Sequence, residues 1–423
     1  MNKSYDIVII GGGAGGLAAL KSAYDSSLNI LLVERDKTLG GILKQCIHNG
    51  FGLHHYKEEL TGPEYAERGI NEVKELDADI LVDTTVIDVM KEEETFFVKM
   101  TNTNDGLFDV QAKAVILSSG CYERTAGAIQ LPGDRPAGIM PAGSAQRYLN
   151  IDGYLVGRRV FILGSGDIGL IMARRMRLEG ADVLGVAEIM PYSNGLTRNI
   201  VQCLHDFDIP LYLSHTVTHI KGQDQLESIT ISKIDDNWDP IKGTEKEFEV
   251  DTLLLSVGLL PDIGMFDSLK FDISPRTSGA VVDQTYQTSI EGLFACGNAL
   301  HVHDLVDFVT EESSAAGKQA KDYIMKAKKR SENTIDLIPS DNVSYLLPQK
   351  LDLGDDFESV NVSFRTTTNA LRAVFHVYQG DALLFSKKAR FVVPAEMEKI
   401  TIKRDQLKNA DEPVYVKFEV VDV

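Results

Sequence analysis

The sequence is short of cysteine, of long hydrophobic runs and of positive charge. Its 423 residues include four cysteines, Cys46, Cys121, Cys203 and Cys296. None forms a C-x-x-C pair, which argues against a zinc knuckle and a thioredoxin-type dithiol. A disulfide framework is not expected in so long a chain with so few thiols. No apolar run reaches the roughly 18 residues that a membrane helix needs. The N-terminal stretch MNKSYDIVII is too short for a secretory signal, so no membrane insertion is expected and a reducing, cytoplasmic setting is. Lys and Arg number 43 against 62 Asp and Glu, a net charge of −19 at pH 7. Such a surface repels nucleic acid and anionic lipid, and a nucleic-acid partner is not expected. The hydrophobic share of 43% is that of a soluble globular chain, and the length predicts two or three domains.

Two segments repeat one pattern. The first runs from Tyr5 through Ile7-Val8-Ile9-Ile10 into Gly11-Gly12-Gly13-Ala14-Gly15-Gly16. The second runs from Arg159 through Val160-Phe161-Ile162-Leu163 into Gly164-Ser165-Gly166-Asp167-Ile168-Gly169. A short apolar run bounded by glycine reads as a buried parallel strand. The stretches that follow, Leu17 to Tyr24 and Leu170 to Leu178, are rich in helix formers. Each unit returns to a second apolar run that ends in an acid, Glu34 or Glu188, at about the 20 residues expected of a dinucleotide-binding unit.

The chemistry of that pattern is the binding of a diphosphate. A helix N-terminus offers unpaired N–H groups and the positive end of the helix dipole. Glycine permits the tight turn and the close approach of backbone to phosphate, and the acid accepts hydrogen bonds from a ribose diol. A carboxylate at Glu188 would repel a 2′-phosphate, and Arg198 lies too far along the chain to take the usual counter-role. NADH is therefore expected in preference to NADPH.

Past Lys329 the character changes. Residues 330–334 read as a linker, and the remainder alternates with period two. Val414, Val416, Phe418 and Val420 interleave with polar residues, as do Val360, Val362 and Phe364. Gly380-Asp381 marks a turn between two such runs. Residues 335–423 are expected to form a small all-β sandwich with a packing or assembly role.

The chain resembles the two-dinucleotide-binding-domain flavoproteins of the pyridine nucleotide-disulfide oxidoreductase superfamily. Four features carry the resemblance over residues 1 to about 330. They are Gly11–Gly16 with Glu34, the strand AVILSSG ending at Gly120, the strand LLLSVGLLP around Gly258, and GLFACGN ending at Asn298. The resemblance implies an α/β fold with an FAD domain at 1–121 and 259–330, an NAD domain inserted at 122–258, and the β domain at 335–423. It implies FAD and NADH (or NADPH) as cofactors. The cofactor-binding candidates are Gly11, Gly13, Gly15, Gly16, Glu34, Arg35, Gly41, Val86, Ser119, Gly120, Gly164, Gly166, Asp167, Ile168, Gly169, Glu188, Gly258, Gly297 and Asn298. Asn298 stands where the family has an Asp that accepts from the ribityl chain, and its amide oxygen can still accept. The next segment should open a helix aimed at the flavin, with His303 or Asp304 near its first turn. His301 and His303 are either direct participants or neighbours. More narrowly, LGGILKQCIHNGFGLHHYKEELTGPEYAER, GCYERTAGAIQLPGDRPAG and ACGNALHVHDLVDFV are similar to a bacterial flavoprotein encoded beside anaerobic glycerol-3-phosphate dehydrogenase. Subunits of opine oxidase, hydrogen cyanide synthase and sarcosine oxidase are more distant relatives. The resemblance implies an oligomer or hetero-complex with a second flavin or iron–sulfur subunit.

The disulfide reductases of the superfamily carry C-x-x-x-x-C after the ribose acid. Here the two positions fall at Leu43 and His48, with Cys46 between them, so the dithiol relay is absent. Cys46 and His48 remain the catalytic candidates, with Cys46 as a thiolate beside the flavin and His48 lowering its pKa or moving a proton. The alternative is that both simply line the pocket. Cys203 and Cys296 are expected in the core, and His54, His55 and Tyr56 on a polar surface run. The reading is an FAD-dependent NAD(P)H oxidoreductase passing electrons to an unidentified acceptor. The alternatives are a non-catalytic FAD-bearing assembly subunit and a stand-alone NADH oxidase or peroxidase using Cys46.

Overall fold

The structure is a computed structural model and describes residues 3–327, 330–331, 333–408 and 411–421. Lys329 and Glu332, at the expected linker, and Asp422 and Val423, at the end of the expected β domain, lie outside the described residues. Six α-helices are present among those described. They are α1 (Ala14–Ala23), α2 (Gly62–Lys74), α3 (Ala142–Asn150), α4 (Asp167–Leu178), α5 (Thr197–Cys203) and α6 (Val306–Lys326). The chain divides into two compact units, residues 1–121 with 261–423, and residues 122–260.

The first unit is built on a seven-stranded sheet. Its order is Asp79–Leu81, Ile30–Val33, Lys3–Ile10, Gly106–Leu117, Thr95–Asn102 and Thr84–Glu92. The strand Gly106–Leu117 is long enough to change partners. Its first half pairs antiparallel with Thr95–Asn102, and Val115–Leu117 pair parallel with Leu293–Ala295. Lys3–Ile10 is central because its apolar run can be covered on both faces, as a parallel strand requires. The period-two alternation of a strand sends Ile7 and Ile9 to one face, where Leu17 and Leu20 of α1 and Ala316 and Ala320 of α6 cover them. Val8 and Ile10 point the other way, into a cluster with Phe96, Val98 and Phe266.

The second unit repeats the plan. Five parallel strands run in the order Ile139–Pro141, Thr252–Leu255, Arg159–Leu163, Asp182–Glu188 and Leu211–Leu213. Val160 and Ile162 pack on Leu170, Met172 and Met176 of α4. Phe161 and Leu163 face Ile220, Ile229 and Ile231 of a three-stranded antiparallel layer. Both units are Rossmann-like, and the second interrupts the first. In both, the helix starts three residues before the expected stretch, because Gly15-Gly16 and Ile168-Gly169 adopt helical backbone in the first turn.

From Thr334 to Val420 the first unit continues as strands. One sheet has the order Lys350–Asp352, Thr334–Pro339, Val414–Val420, Ala370–Gln379 and Ala382–Val392, and the other Val343–Leu347, Ser359–Thr366 and Glu398–Lys403. The two share an apolar core that includes Val362, Phe364, Phe375, Val377, Ile400, Ile402, Val416 and Phe418. Tyr345 and Leu347 turn out of that core and into the one beneath the seven-stranded sheet. The Phe375 ring lies 4.9 Å from Phe364 and 5.5 Å from Phe418. Phe375→Ala should lower unfolding free energy by about 3–5 kcal/mol, read as a fall in the urea midpoint.

Candidate functional site

The two glycine turns have the same internal construction. Lys3–Ile10 and Ile30–Val33 are in register with Ile10 opposite Val33, which brings Glu34 alongside the turn. The Gly12 N–H donates to Glu34 Oε2 at 2.7 Å, and the Asp36 N–H to Oε1 at 2.8 Å. In the second unit Leu163 lies opposite Ala187, and Glu188 takes the equivalent place. The Ser165 N–H and hydroxyl donate to Glu188 Oε2 at 2.9 and 2.6 Å, and the Met190 N–H to Oε1 at 2.9 Å. Both acids are buried. A carboxylate oxygen has lone pairs to spare after one such bond, so each acid can also accept from a ribose hydroxyl.

The helix ends beside these acids are open. Gly13 and Gly166 are the N-caps of α1 and α4, and neither end has a side-chain cap. The starts of α5 and α6 also lack a side-chain cap, whereas those of α2 and α3 are closed. Thr61 and Glu64 form a capping box on α2, and Glu123 accepts from the Gly143 and Ser144 N–H groups of α3. A Cβ on Gly13 would meet only Gly41 Cα, at 3.9 Å, so the turn presents bare backbone. Gly11 adopts φ +109°, and a Cβ on Gly16 would collide with the Gly11 carbonyl. Only glycine satisfies both positions. Gly120, at φ +80°, faces open space. These features fit a dinucleotide diphosphate at each turn.

The remaining candidates take varied places. Arg35 is exposed and forms a long ion pair with Asp262 at 3.4 Å. Val86 is buried at a register irregularity in its strand. Gly15 is enclosed, and its Cβ would press on the Ser118 and Ser313 hydroxyls. The Ser119 hydroxyl donates to the Asp262 carbonyl at 2.5 Å. Asp167 Oδ1 accepts from the Leu196 N–H at 2.8 Å and the Asn199 side chain at 2.7 Å, tying the loop before α5 to the start of α4. Ile168 is half-buried, Gly169 is buried and donates to the Ser256 hydroxyl, and Gly258 is exposed.

Cys46 ends a 3₁₀ turn, Gly41–Gln45, that crosses the first glycine turn, with the Gly40 N–H donating to the Gly12 carbonyl at 2.9 Å. Its thiol lies 3.3 Å from the Ile42 carbonyl. Burial pushes that thiol up to about 12, so at neutral pH it is protonated. The His48 ring lies 3.0 Å from the Asn49 carbonyl and against Phe51. The loop is anchored from beyond: Asp307 in the first turn of α6 accepts from the N–H groups of Gly52, His54 and His55 at 3.1, 3.1 and 2.7 Å. The helix itself begins at Val306, so His303 and Asp304 precede it and Asp307 holds the first-turn place expected of them.

A second polar centre lies around Gly297 and Asn298. The Gly297 N–H donates to Glu312 Oε1 at 2.8 Å, and Glu312 Oε2 faces His301 Nε2 at 2.9 Å and His303 Nε2 at 3.4 Å. Burial alone would raise the Glu312 carboxyl, but the imidazoles of His303 and His301 outweigh it and hold the group well below the usual carboxylate range. Asn298 accepts from the His303 N–H at 3.0 Å and lies 3.5 Å from the Cys121 thiol. Gly12, Ser165 and Glu312 were not legible as site residues. Gly12 acts through its main-chain N–H, Ser165 through its N–H and hydroxyl, and Glu312 through a contact between a helix and a loop.

Gly16→Ala should strip the flavin, read as loss of the yellow absorbance in protein that still folds by circular dichroism. Alkylation of the Cys46 peptide by iodoacetamide should rise about tenfold per pH unit between pH 8 and 10 with no plateau, unlike a free thiol, which levels off above about 8.5.

Residues 5–325 match the family model described as pyridine nucleotide-disulphide oxidoreductase. The chain is 24% identical to thioredoxin reductase of Treponema pallidum (strain Nichols), over 77% of this chain and 98% of the relative. It is 25% identical to ferredoxin–NADP reductase 2 of Bacillus subtilis (strain 168), over 76% of this chain and 93% of the relative. Its fold is similar to the crystal structure of T. acidophilum thioredoxin reductase, with a TM-score of 0.62 and 23% identity over 76% of this chain and 98% of that one. With two open glycine turns, each backed by a buried acid, and a family match over most of its length, the chain belongs to the pyridine nucleotide-disulphide oxidoreductase family and is an FAD-dependent NAD(P)H oxidoreductase.

Proposed function

We propose that the protein takes hydride from NADH, in preference to NADPH, and passes electrons to an acceptor other than a disulfide. The paired construction of the two turns carries this reading. Bound FAD supplies the capacity to take a hydride and release electrons. Gly11–Gly16 and the open end of α1 hold its diphosphate, and Glu34 holds its adenosine ribose. Gly164–Gly169 and α4 do the same for the nicotinamide coenzyme. Glu188, held by Ser165 and Met190, accepts from a 2′-hydroxyl and disfavours a 2′-phosphate. Asn298 presents its side chain to the ribityl end of the flavin.

A disulfide substrate is disfavoured by the thiols. Cys46 has no second cysteine in its loop, and its raised pKa leaves it a neutral thiol. The same property disfavours a peroxidase built on Cys46, since the thiolate is the nucleophile. The acceptor we favour is a second flavin or iron–sulfur subunit of a dehydrogenase complex linked to glycerol 3-phosphate. Support for the link is the sequence resemblance alone. Support for a docked partner comes also from the C-terminal strands, where the edge strand Ala382–Val392 and its neighbour expose Leu371, Leu383 and Phe391.

Anaerobic NADH should bleach the flavin absorbance within the mixing time of a stopped-flow instrument, and NADPH should do so far more slowly. No bleaching by either coenzyme would overturn the reading. Glu188→Gln removes a charged acceptor, whose hydrogen bonds carry about 1.5–3 kcal/mol. It should therefore cut kcat/KM for NADH by roughly tenfold or more, with a smaller effect on NADPH.

A further inference from the structure

The histidines before α6 are constrained more tightly than neighbours of a binding loop need to be. His303 Nδ1 lies 3.0 Å from the His301 carbonyl and 3.2 Å from Asn298 Oδ1. A carbonyl only accepts, and Asn298 Oδ1 is fixed as the acceptor by the His303 main-chain N–H. Nδ1 therefore carries a hydrogen. On the other side of the ring, Nε2 lies at ion-pair distance, 3.4 Å, from Glu312 Oε2, whose carboxyl also takes the Gly297 N–H. His301 answers the same oxygen with its own Nε2–H. Its Nδ1, 3.2 Å from the Tyr345 hydroxyl, then takes that group's hydrogen. Burial pushes the Tyr345 phenol up to about 12, so the hydrogen is present. Burial also pulls His301 down, toward the neutral form. A single cation balances Glu312, and the acceptors around Nδ1 together with the Glu312 contact at Nε2 place it on His303.

We propose that His303 is a buried imidazolium, paired with Glu312 and aimed at Asn298, that sets the charge of the flavin-binding turn, and that the C-terminal strands hold it there. The inference rests on the flavin site proposed above. A buried ion pair is costly to assemble and is a poor source of stability, so its place beside a cofactor turn points to function. The other charged groups nearby are already paired. Glu311 on α6 takes Lys399 at 2.9 Å, and Asp304 takes Arg365 and the Met397 N–H. Tyr286 lines the small cavity, about 110 Å³, that borders His303, and burial keeps its hydroxyl protonated.

The holders come from beyond the family match, which ends at residue 325. Tyr345 orients His301. Arg365 is half-buried and pairs with Asp304, and it donates to the carbonyls of Val302, Pro394 and Ala395. The strands after Thr334 thus grip both ends of the segment from His301 to Asp304.

Nitrogen-15 NMR of histidine-labelled protein tests the charge directly. In the flavoprotein at pH 7 we expect one buried histidine with hydrogens on both nitrogens and one with a single hydrogen, assigned by His303→Gln and His301→Gln. A singly protonated His303 would overturn the proposal, as would a stoichiometric metal ion at these nitrogens by elemental analysis. The same spectrum on protein without FAD reads the pair even if the flavin assignment fails. His303→Gln should lower the flavin midpoint potential and change its pH dependence, because a positive charge beside the turn favours the more negative, reduced cofactor. Tyr345→Phe should shift the potential in the same direction by less, with flavin content retained. An unchanged potential in His303→Gln protein that keeps its flavin would contradict the charge-setting role.

Discussion

A buried carboxylate accepting a main-chain N–H from the turn in front of it is the interaction on which both glycine turns depend. Removing a carboxylate from water costs several kcal/mol unless donors meet it. Gly12 and Asp36 meet Glu34, and Ser165 and Met190 meet Glu188. Those donors exist in the right places only because the two parallel strands of each unit are in one register. A slip of one residue would turn the acid to the other face of the sheet. The acid, in turn, fixes the conformation of the glycine turn, and the turn leaves the N-terminal N–H groups of α1 and α4 free of side-chain caps. Register, acid, turn and open helix end form a single chain of cause from hydrophobic pattern to anion site.

The segment from Gly297 to Glu312 joins the first of these sites to the rest of its unit. Glu312 reaches back to the Gly297 N–H, Asp307 holds the loop that carries Cys46 and His48, and Asp304 is taken by Arg365. These three acids each anchor a different part of the chain, so the segment behaves as a junction rather than a free loop. The C-terminal strands are one of the parts it anchors. They have a core of their own, yet Tyr345 and Leu347 belong to the core under the seven-stranded sheet. Gln349 exchanges hydrogen bonds with Val282, and Gln284 does so with Asp352, which further ties the strands to the family fold.

Much of the strand–turn–helix–acid framework is legible in the sequence because it is local. The runs Ile7–Ile10 and Val160–Leu163, the glycines after them and the acids Glu34 and Glu188 all fall within a single strand–turn–helix–strand unit. The helices start three residues before the sequence suggests because glycine has low helical propensity, and that penalty hides its use in a first turn pressed against a strand. Asp167 drew notice as part of a motif, yet one of its oxygens holds the loop before α5, a partner that no spacing rule reveals. The histidine centre was illegible for a related reason. His301 meets Glu312 across a loop–helix boundary, and Arg365 meets Asp304 from 61 positions away. The motif order leaves the Cys46 thiol open to two readings, reactive or lining the pocket, and the burial that pushes it up favours the neutral thiol.

The most direct test of the account is a crystal structure of the flavoprotein soaked with reduced nicotinamide coenzyme. The account predicts the FAD diphosphate against Gly11–Gly16 with its adenosine ribose on Glu34, and the coenzyme diphosphate against Gly164–Gly169 with its adenosine ribose on Glu188. Either dinucleotide found away from its glycine turn, or either acid left without a ribose hydroxyl, would contradict it.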